Sequence, residues 1–251
     1  MSSIPVDILR LILEHVDDKD LLTICLLNKI CCSCSQDIIY REIYFQDTDQ
    51  NNLCQTLARS THLAERVRSF HTLRKDSELA QALRNMTSLR DLSLFISGSI
   101  SNTLDGCTFE LSTFFSYLCC DESLAKFLNS QPSLRNFGYW APPGPFEQTC
   151  LPNVTGISAT YYWLLRLVPG RPVSKVDFIG GSPEPVDLNF CTLSSSPIQR
   201  LTIDYTFIYP KPGHLLASIF PSLTYLKLGI DEIKILRKVC GPNFSYSFHN
   251  H

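Results

Sequence analysis

A six-residue apolar pattern that returns along the chain constrains its fold more than any other feature of the sequence. Apolar residues take the first, fourth and sixth positions, as in Leu89-x-x-Leu92-x-Leu94. Further copies start at Leu134, Val154, Val173, Ile198 and Leu223, and a shorter one starts at Val67. Starts lie about 19–25 residues apart, and the interval from Leu89 to Leu134 is about twice that length. A period of this length is typical of arrays in which each repeat supplies one short strand.

Prolines support the phase of this pattern. Because proline cannot continue a helix and biases the preceding residue toward extended conformations, it ends one element just before the next strand. The prolines that precede a copy are Pro132, Pro152, Pro172, Pro197 and Pro221. Segments between the strands, such as Ser112–Leu128 and Leu215–Phe220, are predicted to be helices. Each unit is therefore predicted to be a short strand with a helical or irregular return, and the parallel strands should stack into a curved sheet.

The interval and the spacing resemble those of leucine-rich repeats. This resemblance implies an α/β fold in which residues 63–240 form an irregular leucine-rich-repeat solenoid with a curved parallel sheet, followed by a tail at 241–251. The asparagine that this family carries after each strand is missing, and Ser97, Pro142 and Gly181 stand at three of the matching positions. A generic α/β domain whose strands are similarly spaced is the alternative interpretation.

The first 45 residues follow a helical rather than a strand period. A helix is predicted over Val6–Val16, with Pro5 just before it, where a missing N–H has no consequence. Its apolar residues are Ile8, Leu9, Ile12, Leu13 and Val16. The acidic turn 17–20 precedes a second apolar helix at Leu21–Leu27, and a third is predicted over Asn28–Tyr44. Three such short helices bury little surface alone, so they require a partner surface in this chain or another.

These residues resemble an F-box. Ile4-Pro5 leading into an apolar helix is similar to the Leu-Pro opening of that family, and Leu26-Leu27-Asn28-Lys29 is similar to its Val-Ser-Lys junction. Tyr40-Arg41-Glu42 resembles the closing segment of fungal members. Two positions depart from the family: Cys31-Cys32-Ser33-Cys34 stands where many members carry a tryptophan, and Ile39-Tyr40 replaces a late Leu-Trp. We expect an F-box at 2–45 and a linker with a first helix at 46–62; an ordinary helical cap on the following domain is the alternative.

The resemblance implies a substrate-recruiting subunit of a Skp–cullin–F-box ubiquitin ligase, with no catalytic residue of its own. Its partners would be a Skp-type adaptor, through that adaptor a cullin, and an unidentified protein target. The adaptor-docking residues would be Ile4, Pro5, Ile8, Leu9, Ile12, Leu13, Leu21 and Leu22. Strand positions between the core residues would contact the target, and the candidates are Arg135, Asn136, Trp140, Gln199, Arg200, Thr202, Tyr225 and Lys227. The alternatives are an interaction scaffold that does not direct ubiquitination and a plain repeat binding module.

Charge and hydropathy favour a protein partner. The net charge is −2 and the pI is about 6.3, so no overall positive field attracts nucleic acid. No apolar run approaches the ~18 residues of a membrane span, and the start lacks the pattern of a secretory signal. We therefore expect a cytoplasmic or nuclear protein, or one found in both places, in which the 11 cysteines are reduced thiols.

The sequence contains no motif for a metal, a cofactor or catalysis. Cys31, Cys32 and Cys34 have no second Cys or His pair at the spacing of a zinc site, and Cys119-Cys120 is not a CxxC pair. The glycine-rich stretches lack the spacing of a phosphate loop. We expect no metal and no cofactor. An enzyme with an unrecognised cysteine nucleophile is the third hypothesis, and one thiol that reacts far faster than the others would support it.

Overall fold

The structure is a computed structural model. It describes residues 4–44, 50–73, 75–98, 103–119, 121–141, 151–179, 187–204 and 213–229. The predicted tail at 241–251 lies outside these ranges. The chain divides into two compact units, one formed by residues 1–96 with 100–111 and the other by residues 97–99 with 112–251. Both contain helices and parallel strands, which confirms the α/β class with helices at the N-terminus.

Three helices open the first unit. They are α1 (Val6–Leu13), α2 (Asp18–Ile24) and α3 (Lys29–Ile39). Pro5 occupies the N-cap position of α1, and the Asn28 side chain caps α3 by accepting a 2.9 Å hydrogen bond from the Cys31 N–H. The helices pack around Leu13, Leu21 and Cys34, with Leu9, Val16, Ile24, Ile38 and Ile39 partly buried against them.

The predicted third helix, Asn28–Tyr44, is wrong at its end. The helix ends at Ile39, and Glu42–Tyr44 forms a strand, β1. The reason is tertiary: β1 pairs in parallel with a later strand, and Ile43 is buried there. Since short segments take the conformation that buries their apolar side chain and pairs their backbone, this pairing outweighs helix propensity.

The rest of the first unit alternates helices and strands. After β1 come α4 (Gln50–Arg59), α5 (Thr61–Ala64), β2 (Ser69–Thr72), α6 (Leu79–Asn85) and β3 (Asp91–Gly98). The three strands are parallel, with Ile43 opposite Phe70 and Phe70 opposite Leu92. All three of these side chains are buried, so they form one apolar row across the strands.

Six parallel strands, paired in chain order, form the sheet of the second unit. They are β4 (Thr113–Leu118), β5 (Asn136–Tyr139), β6 (Gly156–Ala159), β7 (Lys175–Phe178), β8 (Arg200–Asp204) and β9 (Tyr225–Gly229). Helices α7 (Glu122–Asn129), α8 (Tyr161–Leu167) and α9 (Gly213–Ile219) and a 3-10 turn at Asn189–Leu193 lie between them. Aromatic residues pack the interior: Tyr139 meets Trp163 edge to face, and the Trp163 indole N–H donates to the Ala141 carbonyl at 2.8 Å.

The double-length interval of the sequence pattern contains a strand. Ser112–Leu128 was predicted to be a helix, but its first part is β4, and the helix α7 begins only at Glu122. The hidden copy is Leu111-x-x-Phe114-x-Ser116, in which all three residues are buried. A serine at the sixth position breaks the apolar pattern. Its hydroxyl is satisfied internally by accepting a 3.0 Å hydrogen bond from the Leu118 N–H. The predicted helix at Leu215–Phe220 corresponds to α9.

One backbone arrangement recurs where the strands begin. The carbonyl of the residue just before the first paired residue of one strand accepts hydrogen bonds from two successive N–H groups at the start of the next strand. Thus Arg41 accepts from Arg68 and Ser69, and Gln199 accepts from Thr224 and Tyr225, at 2.9–3.0 Å. The same pairs of bonds end on the carbonyls of Arg68, Ser112, Arg135, Thr155 and Ser174. These bonds satisfy two successive main-chain N–H groups at the start of each of these strands.

Candidate functional site

The three N-terminal helices present apolar side chains to solvent. Nine large ones are exposed, and we refer to them as the docking face: Ile4, Val6, Ile8, Leu11, Ile12, Leu22, Leu26, Leu27 and Ile30. Leu26 is 85% exposed and Leu27 is 68% exposed. Single exposed apolar residues are normal on a protein, but a contiguous helical segment with this many is typical of an interaction surface.

The eight residues predicted to contact an adaptor divide by their burial. Ile4, Pro5, Ile8, Ile12 and Leu22 are exposed. Leu9 is half-buried, and Leu13 and Leu21 are buried in the interior of the helical motif. The structure therefore places Leu13 and Leu21 where they hold the helices together and offer no surface to a partner.

Five residues of the docking face escaped the sequence analysis: Val6, Leu11, Leu26, Leu27 and Ile30. Leu26 and Leu27 are the most informative of these. Since α2 ends at Ile24, they lie in a turn, where their N–H groups bond to the Thr23 and Ile24 carbonyls. A signal was present in the sequence, because an apolar run from Leu21 to Leu27 is too long to fit on one side of a short helix.

Ion pairs hold these helices in place. Arg10 of α1 pairs with Asp37 of α3 at 2.7 Å, and Arg41 pairs with Glu14 at 2.9 Å. Arg66, beyond α5, also pairs with Asp37 and donates to the Ser33 carbonyl at 3.0 Å. Each partly exposed pair contributes at most about 1 kcal/mol. Together they tie α1 and α3 to the segment that leads into β2, so the docking face has a defined position on the first unit.

The eight predicted target-contact residues all lie at the surface of the second unit. Arg200 and Thr202 of β8 are opposite Tyr225 and Lys227 of β9, and the Arg200 guanidinium lies 4.5 Å from the centre of the Tyr225 ring. Gln199 immediately precedes β8. Arg135, Asn136 and Trp140 lie at or beside β5, with β6 and β7 between them and β8. The structure therefore brings five of the eight together and leaves three on a separate strand.

Two further aromatic residues adjoin the predicted Trp140. The Tyr117 ring stacks on Trp140 with centroids 4.9 Å apart, and the Phe115 ring lies 5.9 Å from it. Both belong to β4, which the sequence analysis assigned to a helix. The strand-favouring Thr and aromatic residues in Thr-Phe-Phe-Ser-Tyr-Leu were the available signal for a strand.

Three cysteine thiols among the described residues have pKa values shifted away from nucleophilic activity. Burial raises the pKa of the Cys54, Cys107 and Cys191 thiols to about 12, so they carry little thiolate at neutral pH. Burial lowers the pKa of His71, against the opposing influence of Asp91 and Glu42. That ring stacks on Tyr44 and is hydrogen-bonded to the Ser69 hydroxyl at 3.0 Å.

The described residues contain neither a metal-binding cluster nor a membrane-spanning helix. No cluster of three or more His, Cys, Asp or Glu within the described ranges is arranged to hold a metal ion. Among the same residues, no helix has the length and apolarity needed to cross a membrane.

Comparison with known proteins identifies the helical motif. No curated protein matches the chain. The profile of the F-box domain matches residues 1–41, a stretch that contains α1, α2 and α3 and ends just before β1. The N-terminal helices that carry the docking face therefore constitute an F-box domain.

Proposed function

We propose that this chain is the substrate-recruiting subunit of a Skp–cullin–F-box ubiquitin ligase. Its F-box domain binds a Skp-type adaptor, and that adaptor connects it to a cullin. The observation that carries the proposal is the coincidence of the F-box match with the docking face. Residues 1–41 match the domain, and within them nine large apolar side chains face solvent.

The physical reason for docking is the exposed apolar surface. Removing such surface from water contributes about 25 cal/mol per Å². The interior of the motif already uses Leu13, Leu21 and Cys34, so the outward residues are available to a partner without unfolding the helices. We assign adaptor contact to the docking face and Pro5, and we assign packing to Leu13 and Leu21.

The strands that follow the F-box would bind the target and hold it near the ligase. Their chain-order pairing and the hydrogen-bond arrangement that recurs at the strand starts support a leucine-rich-repeat array. The outward strand residues of the second unit would then contact the target protein. The chain would act by proximity, raising the concentration of the target near the ligase, and would carry out no chemistry itself. We place this activity in the cytoplasm, the nucleus or both.

The first test is binding of the full chain to a purified Skp-type adaptor. Ile8→Asp/Ile12→Asp places two charges on the docking face, at positions that are each about half exposed. We expect this variant to fold and to lose adaptor binding at least tenfold, since burying an unpaired carboxylate is costly. Leu193→Asp, a charge at an exposed apolar residue of the second unit, is the matched control and should bind as the parent does. A folded parent that does not bind the adaptor would refute the proposal.

A second test separates a ligase subunit from a scaffold. Both bind the adaptor, but only the ligase subunit directs ubiquitin to a bound partner. Reconstitution with the adaptor, the cullin, a ubiquitin-conjugating enzyme and a bound partner should yield ubiquitinated partner. Adaptor binding without such product would favour the scaffold.

A further inference from the structure

The outward side of the second unit's strands is divided into two chemically distinct parts. Residues alternate along each strand, so that Val176 and Phe178 of β7 are buried while Lys175 and Asp177 point outward. The same alternation makes Phe115, Tyr117 and Trp140 outward residues beside β4 and β5. On β8 and β9 the outward residues are Arg200, Thr202, Tyr225 and Lys227.

Three aromatic rings cover the β4–β5 part. Gly138 makes room for them: a Cβ at that position would lie 1.9 Å from Cδ1 of Phe115, so the Phe115 ring lies across the glycine. Trp140 packs against Phe115 and Tyr117, and Tyr117 is 43% exposed. Tyr and Trp residues that hold a rigid position and face solvent are the types that contribute most to protein interfaces.

The β7–β9 part is cationic. Lys175 and Arg200 are register partners on adjacent strands, and Lys227 lies on the next strand. Asp177 is the one acidic residue among the described outward side chains of β4–β9. Within the described residues, none of the three cations forms an ion pair with a carboxylate. Lys175 and Arg200 are adjacent like charges that form no ion pair among the described residues, and such a pair favours an anionic ligand.

The distance between the two parts suits an extended peptide. Strands lie about 4.8 Å apart, so β7 and β8 are roughly 10 and 14 Å from β5 across the sheet. Lys175 and Arg200 share a register row with Asn136, and Trp140 lies four residues past Asn136, which adds about 13 Å along the strands. Between them, the outward residues of β6 are the small Gly156 and Ser158, which raise no barrier. The separation from Trp140 is therefore roughly 16–20 Å, and an extended chain that rises about 3.3 Å per residue covers it with five to six residues.

We propose that this surface, the aromatic–cationic face, binds an acidic peptide segment of a target protein. It is defined by Phe115, Tyr117, Trp140, Lys175, Arg200 and Lys227. The segment places an aromatic or branched apolar side chain against Trp140, and carboxylates about five to six residues away against Lys175 and Arg200. The inference rests on the proposed target-recruiting function and adds the chemistry of the target.

A single-stranded nucleic acid would also stack on aromatic rings and pair with cations. Two observations favour the peptide. The chain has a net charge of −2, and Asp177 lies on β7 beside Lys175, where a continuous phosphate backbone would meet it.

The test begins with a library of random twelve-residue peptides displayed on phage and selected on the immobilised full chain. We expect enrichment of an aromatic residue or leucine with Asp or Glu about five to six residues away. A synthetic enriched peptide is then titrated by fluorescence polarisation. Lys175→Glu/Arg200→Glu should weaken it at least about tenfold, because two attractions become repulsions. Tyr117→Ser, at a ring that is 43% exposed, should weaken it severalfold. Lys126→Glu, a charge reversal on α7, should leave it unchanged.

Several outcomes would overturn the inference. These are selection without acidic enrichment, no selection at all, or a peptide that binds the charge-reversal and Tyr117→Ser variants as it binds the parent. Tighter binding of a labelled twelve-nucleotide oligo(U), lost in the same variants, would assign the face to nucleic acid instead. Each variant is also tested for Skp-type adaptor binding. If adaptor binding is retained but the peptide predictions fail, only this inference is refuted. If the parent fails to bind the adaptor, the proposed function is refuted.

Discussion

Adjacent residues in the F-box domain have opposite roles. Leu21 is completely buried, and Leu22 next to it is 60% exposed. In α1 the same division separates buried Leu13 from exposed Ile12. A helix turns about 100° per residue, so a run of leucines and isoleucines necessarily covers both its inner and its outer side. Solvent exposure and internal packing therefore belong to different side chains, so the proposed adaptor contact can be separated from packing by substitution.

The pair Leu21→Ala and Leu22→Ala tests this separation. We expect Leu21→Ala to lower the free energy of unfolding by about 2–5 kcal/mol, because it leaves a cavity among α1, α2 and α3. Leu22→Ala should change it by less than about 0.5 kcal/mol while weakening adaptor binding. Urea denaturation and adaptor titration of both variants measure this. Equal loss of stability in the two variants would contradict the assignment of Leu22 to the docking face.

Element boundaries depend on capping and pairing more than on apolar periodicity. Asn28 begins α3 by accepting the Cys31 N–H, and Asp121 begins α7 by accepting the Leu124 N–H, each at 2.9 Å. The end of α3 and the start of β1 are decided instead by the pairing of β1 with β2. Periodicity located most of the strands, but it misplaced the ends of two helices: α1 ends at Leu13 rather than Val16, and α2 spans Asp18–Ile24 rather than Leu21–Leu27. It missed β4, because buried Ser116 replaces an apolar residue there, and β1, because three residues are too few to show a period.

Asn28 provides a test at this scale. The position corresponds to the Ser of the family's junction, and either residue accepts a hydrogen bond from a helix N–H. Asn28→Ala should lower the free energy of unfolding by about 1 kcal/mol, since the Cys31 N–H loses its side-chain partner. Asn28→Ser should retain most of the stability and serves as the control. Thermal unfolding followed by circular dichroism compares them, and equal melting temperatures for Ala and parent would argue against the cap.

At the scale of the whole molecule, the F-box domain is continuous with β1, the first strand of the same compact unit. The family match ends at residue 41, and β1 begins at Glu42. The expected domain limits of 2–45 and 46–62 would therefore cut between β1 and the strand with which it pairs. Because β1 covers an edge of β2 and buries Ile43, its removal would leave unpaired backbone and an exposed apolar row.

Two truncations test this. A chain that begins at Glu42 keeps β1, and a chain that begins at Gln46 lacks it; both lack the F-box helices and the Arg66 partner Asp37. We expect the chain that begins at Glu42 to be the more soluble and to melt at the higher temperature, for the reason of edge pairing. Size-exclusion chromatography and thermal scans measure both properties. If the chain that begins at Gln46 equals the longer chain in solubility and in melting temperature, β1 is dispensable.

Local sequence patterns were enough to predict the F-box helices, the α/β class and the apolar row of most strands. Those features are set by local order: the spacing of apolar residues, prolines and caps is visible without any long-range contact. The tertiary structure alone decided which leucines of the F-box face outward and that Glu42–Tyr44 is a strand. It also decided that Phe115 and Tyr117 meet Trp140. Each of these depends on residues distant in sequence that share one surface, and no local pattern specifies which distant residue will be the neighbour.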